Sequence, residues 1–219
     1  MSMELYAHPF SSYCQKALIA LYENGIPFAF RMLGPGHEKE AAEHAARWPL
    51  KRMPLLVDGG RTVVEASIII EHLGIHHPGP VRLIPAEPAA ALEVRMLDRF
   101  FDNYVMTPMQ KIVGDCLRPA GNRDSHGVAE ARRLLDAAYG WLDGTLAGRN
   151  WAAGDSFTLA DCAAAPALFY ADWVQPVDPA FAHACAYRKR LLERPSVARA
   201  VDEARPYRSL FPPGAPDRD

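Results

Sequence analysis

Two kinds of hydrophobic pattern share this chain, and the change from one to the other limits the folds open to it. Before residue 77, short strand-like runs alternate with helical ones; after residue 88, only helical spacing remains. Between them Pro78, Gly79, Pro80, Pro85 and Pro88 make a stiff connector. A chain of 219 residues has room for two small units sharing an interface. We expect those units at residues 1–77 and 89–219, joined by 78–88.

In the first unit, residues 3–7 read as a strand closed by His8-Pro9. A helix follows from Ser12, with Ala17, Leu18, Leu21 and Tyr22 on one face and Asn24-Gly25 as its stop. Residues 26–32 read as a second strand and 38–48 as a helix. Residues 54–58 and 61–64 flank Gly59-Gly60 as a hairpin, and a helix spans 68–76. A helix between the first two strands demands a parallel crossover, and the hairpin adds antiparallel strands. The expected sheet is therefore small and mixed.

The second unit reads as helices throughout. Residues 89–116 carry Leu92, Met96, Leu97, Phe100, Phe101 and Tyr104 at three-to-four spacing, with a kink expected at Pro108. A helix spans 128–146. Thr158-Leu159-Ala160-Asp161 resembles a capping box, with Asp for Glu, ahead of an Ala-rich helix. Helices over 179–192 and 196–205 complete the unit, and 212–216 reads as an irregular tail.

Composition removes several function classes. Hydrophobic residues make up 49% and charged residues 23%, the balance of an ordinary globular protein. A net charge of -2 supplies no field to draw nucleic acid or an anionic membrane. No apolar run reaches the ~20 residues that span a bilayer, and the start of the chain lacks a basic leader segment. Cys14, Cys116, Cys162 and Cys185 are far apart, without Cys-x-x-Cys spacing. We expect reduced thiols, a cytoplasmic location, no metal, and neither nucleic-acid nor membrane partners.

The candidate chemistry lies in the first unit. Ser11 stands at the start of a helix, where partial positive charge and unpaired N–H groups favour an anion. It is either a simple N-cap or a hydroxyl that donates to a thiolate. Cys14, one turn deeper, is either a buried small hydrophobe or a redox thiol. Met53-Pro54 opens a strand, where a cis bond would expose the Met53 backbone to an extended peptide. Glu65 at the next helix start either complements the helix dipole or accepts from a ligand ammonium. Ser67 and the N–H groups of Ala66 and Ser67 suit a ligand carboxylate.

Taken in order, these segments resemble those of the cytosolic glutathione S-transferases over nearly the whole chain, in the bacterial form with a Ser- or Cys-type active site. Ser11-Ser12-Tyr13-Cys14 lies where those members carry the activating residue. Residues 49–54, Pro-Leu-Lys-Arg-Met-Pro, resemble the family's Asn-Pro-x-Gly-Lys-Val-Pro. Residues 65–73, Glu-Ala-Ser-Ile-Ile-Ile-Glu-His-Leu, resemble Glu-Ser-x-Ala-Ile-x-x-Tyr-Leu. Phe157 to Asp161 resemble the capping motif of the C-terminal domain.

The resemblance implies a thioredoxin-like α/β N-terminal domain binding glutathione and an all-α C-terminal domain contributing the electrophile site. It implies a homodimer that uses glutathione as co-substrate against small apolar electrophiles. Ser11 would then hydrogen-bond the sulfur, with Tyr6 as a rival. Met53 would pair with the cysteinyl unit ahead of Pro54, Arg52 would approach the glycine carboxylate, and Glu65 the γ-glutamyl end. Ala66 departs from the family's serine and Trp48 from its asparagine. Phe10, Tyr13, Tyr104, Met106, Met109 and Ile112 are candidate electrophile walls, with Tyr207 and Phe211 as a lid. Two other readings remain: a thiol-disulfide reductase or isomerase through Cys14, and a non-catalytic binding or stress-related module.

Overall fold

The structure is a computed structural model that describes residues 3–219, so the first two positions of the expected 1–77 unit lie outside the described residues. The first unit runs β1 (Glu4–Ala7), α1 (Ser12–Glu23), β2 (Ala29–Met32), α2 (Glu38–Arg47), β3 (Leu55–Asp58), β4 (Arg61–Val64) and α3 (Ala66–His76). Among the described residues the strands form one sheet in the order β2-β1-β3-β4. The β1–β2 pair is parallel and the others antiparallel, which is the mixed sheet expected. β2 is shorter than the 26–32 read from the sequence. Pro27 has no N–H to lend to a ladder, and pairing with β1 begins at Ala29.

Strand alternation divides the core. Leu5, Ala7, Leu56 and Val63 meet Leu18, Leu21, Ile69 and Leu73 of α1 and α3 on one face. Tyr6, Leu55 and Val57 meet Leu33 and Trp48 on the other.

The connector is packed as well as stiff. Leu83 is buried in the helical core, and its carbonyl accepts from the Leu159 N–H at 2.8 Å. Asn24 Oδ1, at the end of α1, accepts from the Val81 N–H at 2.8 Å. A Cβ on Gly79 would lie 2.3 Å from that same Oδ1, so only glycine lets the connector close on α1.

Beyond it lie α4 (Pro88–Phe100), a π-helical turn (Phe101–Met106), α5 (Thr107–Cys116), α6 (Ser125–Leu146), α7 (Leu159–Val174), α8 (Ala182–Glu193) and α9 (Pro195–Ala204). The kink expected at Pro108 is instead a wide turn immediately before it. Pro108 has no N–H for the Tyr104 carbonyl, and its ring would press on that group. The chain widens over 101–106, the Thr107 N–H reaching back to the Asp102 carbonyl. At the start of α7 the Asp161 carboxylate accepts from the Thr158 N–H at 2.8 Å, as the capping motif requires. It also accepts from the Ala152 N–H at 2.9 Å and the Tyr187 hydroxyl at 2.6 Å, tying α8 to the cap. No helix among the described residues is long and apolar enough to cross a membrane.

α1 is the shared wall of the two units. Its residues Cys14 to Leu21 are all buried, some under the sheet and some under α7. Gln15 Nε2 donates to the Tyr170 hydroxyl at 3.1 Å, which in turn donates to the Phe10 carbonyl at 2.9 Å. Lys16 is 1% exposed. Its ammonium lies 2.5 Å from Asp98 Oδ1 and 2.9 Å from Asp102 Oδ2, and it donates to Ser67 Oγ at 2.9 Å. One buried charge thus joins α1, α3, α4 and the π turn. Removing it strands two buried carboxylates with only Arg99 as a cationic neighbour. Lys16→Met is expected to cost about 3–5 kcal/mol in urea unfolding, and Lys16→Met combined with Asp98→Asn to recover part of that loss.

Candidate functional site

Two depressions meet where the N-terminus of α1 faces the helical unit. The first is a polar cleft of about 600 Å³. Ser11 and Tyr13 lie at its base, and Trp48 with the segment Lys51 to Pro54 forms one side. Glu65 and Ala66 form another, and Arg99, Asp102, Asn103 and Gln110 close it from the helical unit. The second, about 240 Å³, is mainly apolar, with Phe10, Met109, Val113, Tyr170, Leu210 and Phe211 among its walls. Ser11 and Gln110 line both. A groove of about 650 Å³ between β2 and α9 is larger. Its Arg199, Glu203 and Tyr22 already bond to one another, so those polar groups are spent.

Ser11 is the N-cap of α1, with extended φ −81° and ψ 123°, and its Oγ accepts from the Cys14 N–H at 3.4 Å. That bond uses an acceptor position and leaves the hydroxyl proton free to donate. Tyr13 stays a neutral phenol: burial, and then the Asp102 carboxylate, push it up to about 12. Cys14 lies behind Ser11, fully buried, outside the residues lining either depression. Burial pushes its thiol up to about 11 against the opposing Ser11 hydrogen bond.

The Met53-Pro54 bond is cis, and both residues line the polar cleft. Arg52 and Lys51 bring cationic side chains to the same side, and the Arg52 carbonyl is held by His44 Nε2 at 3.0 Å. Glu65 lies opposite at φ 71° and ψ 119°, a conformation that side chains avoid. Strain of this sort costs about 1–3 kcal/mol and clusters at functional positions.

Several expected residues lie elsewhere. The Ser67 hydroxyl is not aimed into the cleft; it donates to Asp98 at 2.9 Å and accepts from Lys16 and Arg99. Tyr6 is buried on the far face of the sheet, its hydroxyl donating to Glu43 at 2.8 Å. Of the expected electrophile walls, Phe10, Tyr13 and Met109 line the two depressions. Met106 and Ile112 are core residues, and Tyr104 is on a separate outer face with Trp141. Of the expected lid, Phe211 is packed against Trp173 at 5.0 Å as a fixed wall, and Tyr207 is edge-on to His8 at 4.7 Å.

Sequence reasoning missed Arg99, Asp102, Asn103, Gln110 and Tyr170. The signal that was there is Asp98 and Asp102, one turn apart among Leu97, Phe101 and Val105. Carboxylates on a core face need a cation. Burial raises Asp102 above the usual carboxylate range, and the Lys16 ammonium opposes that rise.

Comparisons with known proteins bear on the family and the fold. The glutathione S-transferase N-terminal domain family matches residues 5–81, and the C-terminal domain family matches residues 104–195. The chain is 26% identical to a stringent starvation protein A homolog of Coxiella burnetii, covering 92% of each chain. It is also 26% identical to glutathione S-transferase GstB of Escherichia coli, covering 87% of this chain and 93% of that one. A glutathione S-transferase of Methylobacterium radiotolerans, solved in complex with glutathione sulfonate, is 27% identical with a TM-score of 0.79. The match covers 92% of this chain and 95% of that one. The fold is therefore a thioredoxin-like α/β domain followed by an all-helical domain.

Glycine tolerates the backbone that Glu65 adopts, whereas alanine does not. Glu65→Gly is expected to be more stable than Glu65→Ala by about 1–2 kcal/mol in urea unfolding. Equal stabilities would show that the Glu65 backbone is unstrained.

Proposed function

Because the chain belongs to the glutathione S-transferase family, we propose that it binds glutathione in the polar cleft and activates the thiol at Ser11 for attack on a small apolar electrophile. The observation that carries this reading is that Ser11 lines both depressions, the polar one and the apolar one. A sulfur beside Ser11 would face an electrophile held between Phe10, Met109 and Phe211.

The cleft's charges match a zwitterionic peptide with two carboxylates and one ammonium. Arg52 and Lys51 suit the glycine carboxylate, and Glu65 with Asp102 suits the γ-glutamyl ammonium. Ala66 lacks the family's hydroxyl and Ser67's is already engaged, so the half-exposed Arg99, whose Nε and Nη2 are bonded to Asp98, Asp102 and Ser67, has its Nη1 to offer the γ-glutamyl carboxylate. In this reading residues 1–77 hold the peptide, 78–88 connect, and 89–219 supply the electrophile walls. A cytoplasmic setting suits the four free cysteines.

The energetics are sufficient. A thiol of pKa ~8.5 is ~3% ionised at pH 7. Lowering it by two units takes ~2.7 kcal/mol. A helix terminus contributes up to ~1 kcal/mol and a hydrogen bond to a charged group ~1.5–3.

Cys14 is a poor redox thiol here, since burial hides it and holds it protonated. Cys14→Ser should leave conjugation intact. Ala66 and the stringent starvation relative favour one second reading, a binding module without turnover. Absence of glutathione binding at millimolar concentration in calorimetry would support that reading over ours.

We also place a second copy of the chain on the outer face of α4 and α6. Met96, Tyr104, Leu134 and Trp141 are exposed there around a groove of about 510 Å³, an apolar patch of the sort interfaces cover. Trp141→Glu is expected to convert a dimer into monomer in sedimentation equilibrium, and an unchanged mass would remove this face from the interface. For the chemistry, Ser11→Ala should lower kcat/KM for glutathione conjugation by ~10–100-fold. It should also move the pH–rate inflection up toward ~8.5, the free-thiol value. An unchanged pH profile would exclude Ser11 as the activating group.

A further inference from the structure

At the opposite end of α3 from the cleft, three potential metal ligands converge on one point. Asp58 ends β3 at the Gly59-Gly60 turn, whose positive φ values fold the hairpin back beside α3. His72 is on α3, and His77 is its C-cap. Both Nε2 atoms point at the same oxygen, Asp58 Oδ2, from 2.8 Å and 2.7 Å. The His76 ring lies 4.4 Å from the His72 ring, centroid to centroid. All three converging side chains are partly buried, and the partners of the Asp58 carboxylate are the two imidazoles.

We propose that Asp58, His72 and His77 form a binding site for a zinc-class divalent ion, with His76 or water at the fourth position. Two imidazoles and a carboxylate are the donor set that borderline cations such as Zn(II) accept, whereas Mg(II) and Ca(II) require oxygen. The geometry is close to that of a filled site. Bonds of ~2.0–2.1 Å in a tetrahedral arrangement put ligand atoms ~3.3 Å apart. Each N···O pair therefore opens by ~0.5–0.6 Å, which small side-chain rotations supply. The ion takes the place of the protons between Nε2 and the carboxylate; each imidazole ligates as the neutral ring with its proton on Nδ1, and a ring that was protonated releases one proton to solvent.

An ion here would act as a staple. It would join the hairpin tip to the last turn of α3, the helix whose first residue, Ala66, borders the polar cleft. α3 is 11 residues long, which separates the two ends by ~15 Å. Binding would stabilise the first domain without entering the glutathione site, so this inference stands apart from the catalytic reading.

The test uses the full-length protein stripped with chelator, then titrated with zinc sulfate by calorimetry and thermal unfolding. Cobalt(II) absorption reports tetrahedral coordination, and magnesium chloride is the control. One ion per chain should bind and raise the unfolding midpoint, and magnesium should do neither. In His77→Gln, His72→Gln and Asp58→Asn the affinity should fall by tenfold or more, on the order of what even outer-shell ligand losses cost. Glutamine keeps an N–H for Asp58, so a simple hydrogen-bonded pin survives in the histidine variants while a metal site does not. His77→Gln is the safest of these, because His77 is at the helix terminus and partly exposed. Absence of zinc binding by the native chain would overturn the proposal. So would binding undiminished in a correctly folded His77→Gln and Asp58→Asn pair, with the ion held at Cys116, Cys185 or another histidine.

Discussion

The Lys16 ammonium holds this structure in register. A charge that is 1% exposed must be matched where it lies, and the matching groups come from three other elements: Ser67 of α3, Asp98 of α4 and Asp102 of the π turn. Burying a charge is costly, and only close, hydrogen-bonded partners offset it. The arrangement therefore tolerates little sliding of one domain over the other. Arg99, bonded to Asp98, Asp102 and Ser67, carries the network from the interior to the rim of the cleft. The wall facing Ser11 is thus tied to the same point as the helix that carries Ser11.

That construction explains how one residue, Ser11, comes to line two chemically different compartments. The polar cleft draws its charge from the loop carrying Lys51 and Arg52, from Glu65 ahead of α3, and from Arg99 and Asp102 at the junction of α4 and the π turn. The apolar pocket is made by the domain interface itself, with Phe10 edge-on to both Tyr170 and Phe211 and those two rings stacked on each other. Their rings border a residue at a helix N-terminus, where the α1 dipole favours an anion. Strain at Glu65 lies on the opposite bank, where the chain turns sharply from β4 into α3.

The fold was legible in the sequence where local chemistry is strong. The Gly59-Gly60 hairpin, the Asn24-Gly25 stop and the Thr158–Asp161 cap each depend on residues within four positions, and each is present. Misreadings arose where a local pattern met a distant partner. Ser67 looks like a ligand hydroxyl until Lys16, 51 positions away, claims it. Tyr104 continues the Met96–Phe100 stripe of α4, but that stripe faces outward beside Trp141 and not into the cleft. Pro108 marks a helix irregularity truthfully, yet the chain resolves it one turn earlier.

By itself the sequence determined the two-domain plan, the mixed sheet and the ends of most helices, because periodicity, turn residues and caps act over a few positions. It also marked segments that line the polar cleft, at Ser11, Arg52 to Pro54 and Glu65-Ala66. Only the tertiary structure decided that Ser11 faces both compartments and that Arg99, Asp102 and Gln110 complete the cleft. It likewise brought Asp58 together with His72 and His77. These are meetings of residues far apart in the chain, and a buried charge or a closed pocket selects among such meetings only once the domains have docked.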